Sequence, residues 1–168
     1  IFLFACYTGL SYIEIKLLNP NGIVSGIDGE LWIDVKRQKT KTEVKVPLLP
    51  KAKNILEKYV DFPKNENTVL PVYSNQKVNQ YLKSIAQRAN IDKHLTFHVA
   101  RHTFATTITL MNDVPIETVS KLLGHTKLST TQKYARVVEK KISKDMAQLK
   151  NILDESNHKI QDASGVPK

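Results

Sequence analysis

The chain has 168 residues, 41% of them hydrophobic and 24% charged, an ordinary globular composition with enough apolar material for one real core. Its net charge of +9 and pI near 9.6 point to a polyanionic partner, although charge alone fits a ribosomal protein, a repressor or a nuclease equally well. No apolar run is long enough to span a bilayer, which excludes a membrane-spanning helix.

The chain opens on IFLFACYTGL, without an initiating Met, a basic leader or a cleavage site. That opening reads as the middle of a helix and predicts a piece of a longer protein with its N-terminal domain absent. Residues 2–8 and 11–18 form two short helices broken at Gly9, the second opened by a capping-box pattern, Ser11 with Glu14. Cys6, the single cysteine, cannot close an intrachain disulfide. It reads as a small buried hydrophobe in a reducing compartment. Asn19-Pro20-Asn21-Gly22 is a turn.

From Ile23 the apolar period becomes two. Leu31, Ile33 and Val35 alternate with Trp32, Asp34 and Lys36, and Val44, Val46 and Leu48 with Lys45 and Pro47. With turns at Asp28-Gly29 and Lys39–Thr42, this predicts a small three-stranded antiparallel sheet.

Beyond Pro50 the pattern is helical. Ile55, Leu56, Tyr59 and Val60 share one face, and Val78, Leu82, Ile85, Ala86 and Ala89 another. Thr96 is placed to cap a helix from about Phe97 to Met111. Pro115 suits the first turn of the next helix and Gly124 its end. Ser129 is placed to cap a helix carrying Tyr134. Ile142, Met146, Leu149 and Leu153 continue an amphipathic pattern, and the polar end of the chain reads as a mobile tail. The elements add up to an α+β, mostly helical fold, a small three-stranded antiparallel sheet packed on a helical bundle. The domain is expected over residues 1–153 and the tail over 154–168.

Between His98 and Tyr134 lie four groups suited to a phosphodiester. His98 and Arg101 are three apart, on one helical face. Arg offers a planar fork for two phosphate oxygens, and a neighbouring His donates a hydrogen bond or moves a proton near neutral pH. His102 points about 100° away around the helix and reads as structural. His125 follows a helix-ending glycine. Tyr134 carries a hydroxyl that attacks only with help, its ordinary pKa being about 10. Lys39 sits near the end of the second strand, and Arg37 shares its parity, so both side chains leave the sheet edge on one side. Taken singly, each has an ordinary alternative: a polar helix surface, a capping histidine, a half-buried tyrosine, a solvated hairpin tip. The weight lies in their order and spacing.

That set resembles the catalytic domain of the tyrosine recombinases, the phage integrase family. The resemblance rests on Arg101-His-Thr-Phe-Ala-Thr106, on His98 to Arg101, on Leu123-Gly124-His125 and on Tyr134. It rests also on Lys39 in RQKT, Val46-Pro47-Leu48 and Thr8-Gly9-Leu10. It covers about residues 1–150, and FLFACYTGL further resembles integrases of Bacteroides-type mobile elements. One position departs: where the family places its first catalytic arginine, directly after TGL, this chain has Ser11. Three readings follow. The domain is catalytically weakened, Ser11 simply caps its helix, or another basic residue fills the gap, with Arg37 the candidate.

The resemblance implies the tyrosine recombinase/type IB topoisomerase catalytic fold and site-specific DNA recombination without metal or ATP. Tyr134 is then the nucleophile of a 3′-phosphotyrosyl link and Lys39 the general acid. Arg101, His98 and His125 hold the non-bridging oxygens, joined by Arg37 on the reading that it fills the gap at Ser11. The implied partners are double-stranded DNA, a homotetramer on two duplexes and accessory DNA-bending proteins, with no membrane. The implied setting is the bacterial cytoplasm, on the nucleoid. Rival readings are a DNA-binding module with dead chemistry, a type IB topoisomerase and, more distantly, an RNA-binding protein.

Overall fold

The computed structural model describes residues 1–62, 67–134, 142–143 and 145–153. By its internal contacts the chain divides after Tyr134. In the first unit α1 (Phe2–Thr8) ends at Gly9, whose φ of 66° closes the helix in the left-handed region that favours glycine. The position is doubly restricted, because a Cβ there would stand 2.5 Å from the Phe104 ring. α2 (Tyr12–Leu17) opens on the expected capping box, with the Ser11 amide donating to the Glu14 carboxylate at 2.7 Å.

The sheet is as expected: β1 (Ile23–Ser25), β2 (Leu31–Lys36) and β3 (Glu43–Pro47), antiparallel in the order β1-β2-β3. Ile33 pairs with both Ile23 and Val46, and its fully buried side chain fixes which face meets the helices. Losing that residue to Ala costs about 2–5 kcal/mol, and a one-residue slip would expose the whole row.

The remaining helices are α3 (Pro50–Lys58), α4 (Asn75–Arg88), α5 (Phe97–Thr103), α6 (Ile116–Leu123) and α7 (Leu128–Gln132). On α4 the buried face is Val78, Leu82 and Ala86; Ile85 and Ala89 of the expected stripe are exposed, as is Val60 after α3. The core gathers Phe4, Ala5, Leu10 and Ile15 from the first two helices, Ile33 and Val46 from the sheet, and Ala100, Phe104, Val119 and Leu123 from α5 onward.

The α5 start at Phe97, after Thr96, is as expected, while one cap and two boundaries differ. Thr96 precedes α5 but makes no side-chain cap; the Phe97 amide donates instead to Asn79 Oδ1 at 2.8 Å, across from α4. The helix expected to reach Met111 stays α-helical only to Thr103, then widens into a π-helix over Phe104–Thr109 and tightens into a 3₁₀ turn over Leu110–Asn112. Thr109, buried, returns its hydroxyl to the carbonyls of Phe104 and Ala105, and a threonine hydroxyl bonding back into its own helix disturbs the regular ladder. Ser129 lies inside α7 rather than at its cap, which is Lys127, and Tyr134 stands in the turn beyond that helix.

In the second unit residues 142–143 and 145–153 are helical, with Ile142, Met146, Leu149 and Leu153 all exposed. The tail expected over 154–168 lies outside the described residues. No described helix is long and apolar enough to cross a membrane.

Candidate active site

An open cavity of about 650 Å³ in the first unit is lined by Ser11, Arg37, Lys39, His98, Arg101, His125 and Tyr134. Every residue singled out from the sequence thus meets in one place, delivered by the hairpin, α5, the end of α6 and the turn after α7.

Arg101 is fixed by backbone. Its Nη1 donates to the Gly9 carbonyl at 2.8 Å and its Nη2 to the Leu123 carbonyl at 2.5 Å. The TGL segment, the RHTFAT segment and LGH are therefore parts of one construction. Phe104 packs over the bare Gly9 while Gly9 and Leu123 hold the guanidinium from either side. Burial, and then the charge of Arg37, push the Arg101 pKa down to about 10, which leaves it charged at neutral pH. The Tyr134 side chain lines the same cavity, close enough to this guanidinium to act on its pKa.

Arg37 is held differently. It lies one residue past β2, 3% exposed, with Nη1 paired to the buried Glu14 carboxylate and Nη2 donating to the Leu122 carbonyl. Its Nε is a buried donor without a hydrogen-bond partner. Burial lowers the Arg37 pKa, and Glu14 works against that fall. Burial alone would raise Glu14, but the Arg37 charge and the bonds to Ser11 outweigh it and hold the carboxyl below its ordinary value. Gly124 makes room for this arginine: a Cβ there would stand 2.7 Å from Arg37 Cγ, and its φ of 65° forms the left-handed end of α6. The hairpin tip is tied to the same point, Thr40 Oγ1 donating to the Gly124 carbonyl at 3.2 Å. Lys39 stays exposed on that tip.

Arg37 and Lys39 line the same cavity, as expected, but Arg37 is a buried ion-pair partner and Lys39 an exposed cation on the hairpin tip. Glu14 entered the sequence reading only as a helix cap; its pairing with a residue 23 positions away has no local signal.

The histidines surround the tyrosine. His125 lies parallel to the Tyr134 ring, 6.3 Å away at 5°. Its Nε2 sits 3.2 Å from Arg101 Nη2 and its Nδ1 2.8 Å from Thr131 Oγ1. Burial, then Arg101 and Arg37, lower its pKa to about 4. His102 corrects the sequence reading. It lines the cavity, with its ring 4.9 Å edge-on to Tyr134 and 4.9 Å from His98. Its separation of four from His98 is the signal that places the two rings together. Burial, then His98 and Arg101, lower its pKa. Lys133 also lines the cavity. Among the described residues no group of three or more His, Cys, Asp or Glu is placed to hold a metal ion.

The arrangement is chemically coherent: two guanidinium groups and two lysines around a space that a buried tyrosine borders. The family model of the phage integrase family matches residues 1–141. The chain belongs to the phage integrase family. Among its relatives, a tyrosine recombinase of Thermosipho africanus is 37% identical over 115 residues, covering 64% of this chain and 39% of that protein. Tyrosine recombinase XerD of Listeria monocytogenes serotype 4b is 35% identical over 107 residues, covering 56% and 36%. This chain thus spans well under half the length of these relatives. Among solved structures, XerA recombinase superposes with a TM-score of 0.69 at 24% identity, over 85% of this chain and 54% of that one. The catalytic domain of bacteriophage HP1 integrase gives 0.59 at 22%, over 87% and 79%. XerH bound to its difH substrate after cleavage gives 0.69 at 16%, over 87% and 44%. The mostly helical fold with its three-stranded sheet is therefore that of integrase catalytic domains.

Proposed function

We propose that this integrase chain is the catalytic part of a site-specific DNA recombinase, with residues 1–153 as its catalytic domain. The observation that carries the reading is the convergence of Lys39, Arg37, His98, Arg101, His125 and Tyr134 on one cavity. Tyr134 attacks the scissile phosphate and releases its hydroxyl proton to solvent in the open cavity; the P–O5′ bond breaks, a 3′-phosphotyrosyl link forms, and Lys39 gives its proton to the departing 5′ oxygen. Arg101 and Arg37 hold the non-bridging oxygens as negative charge grows on them, assisted by His98 and His125. The ester link conserves the bond energy, so the reverse attack by a 5′-hydroxyl rejoins the strand.

Arg37 takes the place of the arginine absent at Ser11. Its place in the cavity lining beside Lys39 and Arg101 supports this. A second reading, a DNA-binding module with weakened chemistry, draws on the same residue: Glu14 already neutralises Arg37. The two readings differ over whether Arg37 contributes to cleavage.

Duplex DNA is the partner, bound by a surface of net charge +9. Affinity falls steeply with salt, on the order of 10³-fold between about 50 and 200 mM for a protein that neutralises several phosphates. The exposed apolar residues of 142–153 support assembly with neighbouring copies as a tetramer on two duplexes, aided by accessory DNA-bending proteins. Such work belongs in the bacterial cytoplasm, on the nucleoid.

The test is a nicked suicide duplex carrying the attachment site, incubated with the full-length protein. A denaturation-resistant protein–DNA adduct is expected, and Tyr134→Phe abolishes it. Tight binding without adduct, unchanged by Tyr134→Phe, would favour the weakened module.

A further inference from the structure

The Arg101 guanidinium only donates hydrogen bonds. His125 Nε2, 3.2 Å from Arg101 Nη2, is therefore the acceptor and carries no proton in this arrangement. A neutral imidazole must then carry its proton on Nδ1, which lies 2.8 Å from Thr131 Oγ1. Thr131 is fully buried, so no water competes for that bond. Its carbonyl meanwhile accepts the Tyr134 amide at 2.9 Å. One residue thus grips the side chain of His125 and the backbone of Tyr134, and the two rings it holds lie parallel.

We propose that Thr131 is a positioning residue for cleavage, holding His125 as the Nδ1–H imidazole with Nε2 turned to Arg101 and the phosphate cavity. The choice of a hydroxyl has a consequence. Its oxygen accepts from Nδ1–H whether the ring is neutral or charged, so the ring keeps its place when it gains a proton. As an acceptor Nε2 steadies the Arg101 fork. With a proton on Nε2, the ring becomes a donor to a non-bridging oxygen, without reorienting. A carboxylate at position 131 would hold the ring equally well but would favour the imidazolium before any phosphate arrived. Thr131 fixes the ring and leaves its charge to the phosphate.

This inference rests on the cleavage role proposed for His125 and Tyr134, and its test separates the two. Long-range ¹H–¹⁵N correlation on the ¹⁵N-labelled chain reads the His125 tautomer directly, without DNA. The expected result is the Nδ1–H form in the wild type and in Thr131→Ser, and loss of that single form in Thr131→Val. A wild-type ring protonated at Nε2 overturns the proposal, as does an unchanged signature in Thr131→Val. In the full-length protein, adduct formation on the suicide duplex should slow on the order of 10- to 100-fold in Thr131→Val, the usual effect of removing the partner that orients a working histidine. Thr131→Ser should restore it. Equal rates in the Val and wild-type proteins overturn the functional half. Absence of adduct in the wild type overturns the cleavage reading while the tautomer assignment stands on its own signal.

Discussion

The two arginines of the cavity are held by opposite means. Arg101 is gripped by neutral carbonyl oxygens of Gly9 and Leu123, so its full charge remains for a phosphate. Arg37 is gripped by the Glu14 carboxylate, with most of its charge already answered and only its Nε left without a partner. Positioning by backbone leaves a cation electrostatically free; positioning by a counter-ion makes it exact in place but weaker in field. The comparison teaches that residue type and proximity do not settle what a cation contributes to a site, because what anchors it decides how much charge it still offers.

The largest effect falls on the freer arginine. Arg101→Lys keeps a charge but loses the planar fork that spans two carbonyls, and single-turnover adduct formation should fall on the order of 10³-fold, as for loss of a phosphate clamp. A loss as small as that from Arg37 variants would break the distinction between the two.

Arg37 carries two separable consequences. Arg37→Met leaves Glu14 buried and unpaired, and should destabilise by about 3–5 kcal/mol in denaturant unfolding. Adding Glu14→Gln removes the stranded charge and should recover most of that stability. Cleavage should remain down on the order of 10²-fold in both variants, the effect of removing one preorganised donor. Recovery of cleavage along with stability would make Arg37 a structural ion pair and nothing more.

Lys39 sharpens the contrast, since it is the exposed cation and the proposal makes it an acid rather than a clamp. A duplex whose 5′ bridging oxygen is replaced by sulfur has a leaving group that needs no proton. Lys39→Ala should cut that duplex close to the wild-type rate, while Arg37→Met should stay slow on it. Equal rescue of both would erase the division of roles.

The smallest effect is on stability against pH. His125 is held at about 4 against an ordinary 6.5, so the unfolded chain binds the extra proton first as pH falls. Its contribution is present above about pH 6.5 and is lost as pH falls toward about 4. Glu14, also lowered, adds a loss below its ordinary value of 4.5. The melting temperature should therefore drop between pH 7 and 4, and His125→Asn should flatten the upper part of that drop.

Much of this was legible in the sequence because it is local. The Ser11–Glu14 capping box, the left-handed Gly124 and the period of two through Ile33 and Val46 are each written within a few residues of where they act. The spacing of His98, Arg101, His125 and Tyr134 was legible as a set. What stayed hidden is tertiary. Asn79 relieves Thr96 of its capping role from another helix, and Thr109 disturbs a helix that periodicity extends to Met111. The direction of His102 around α5 was readable, but not that Tyr134 would come to face it. Thr131 gave no sign, since a threonine before a tyrosine reads as an ordinary helix residue until His125 is placed beside it. The Glu14–Arg37 pair joins a helix start to a strand end, and neither motif names the other.

The most direct measurement is adduct formation on the suicide duplex by the full-length protein carrying Arg37→Met with Glu14→Gln, beside the wild type, with unfolding followed on the same samples. The account predicts a stably folded variant that forms adduct on the order of 10²-fold more slowly. A folded variant that cuts at the wild-type rate would contradict it, and would mean that Ser11 stands in a site that works with Arg101 as its single arginine.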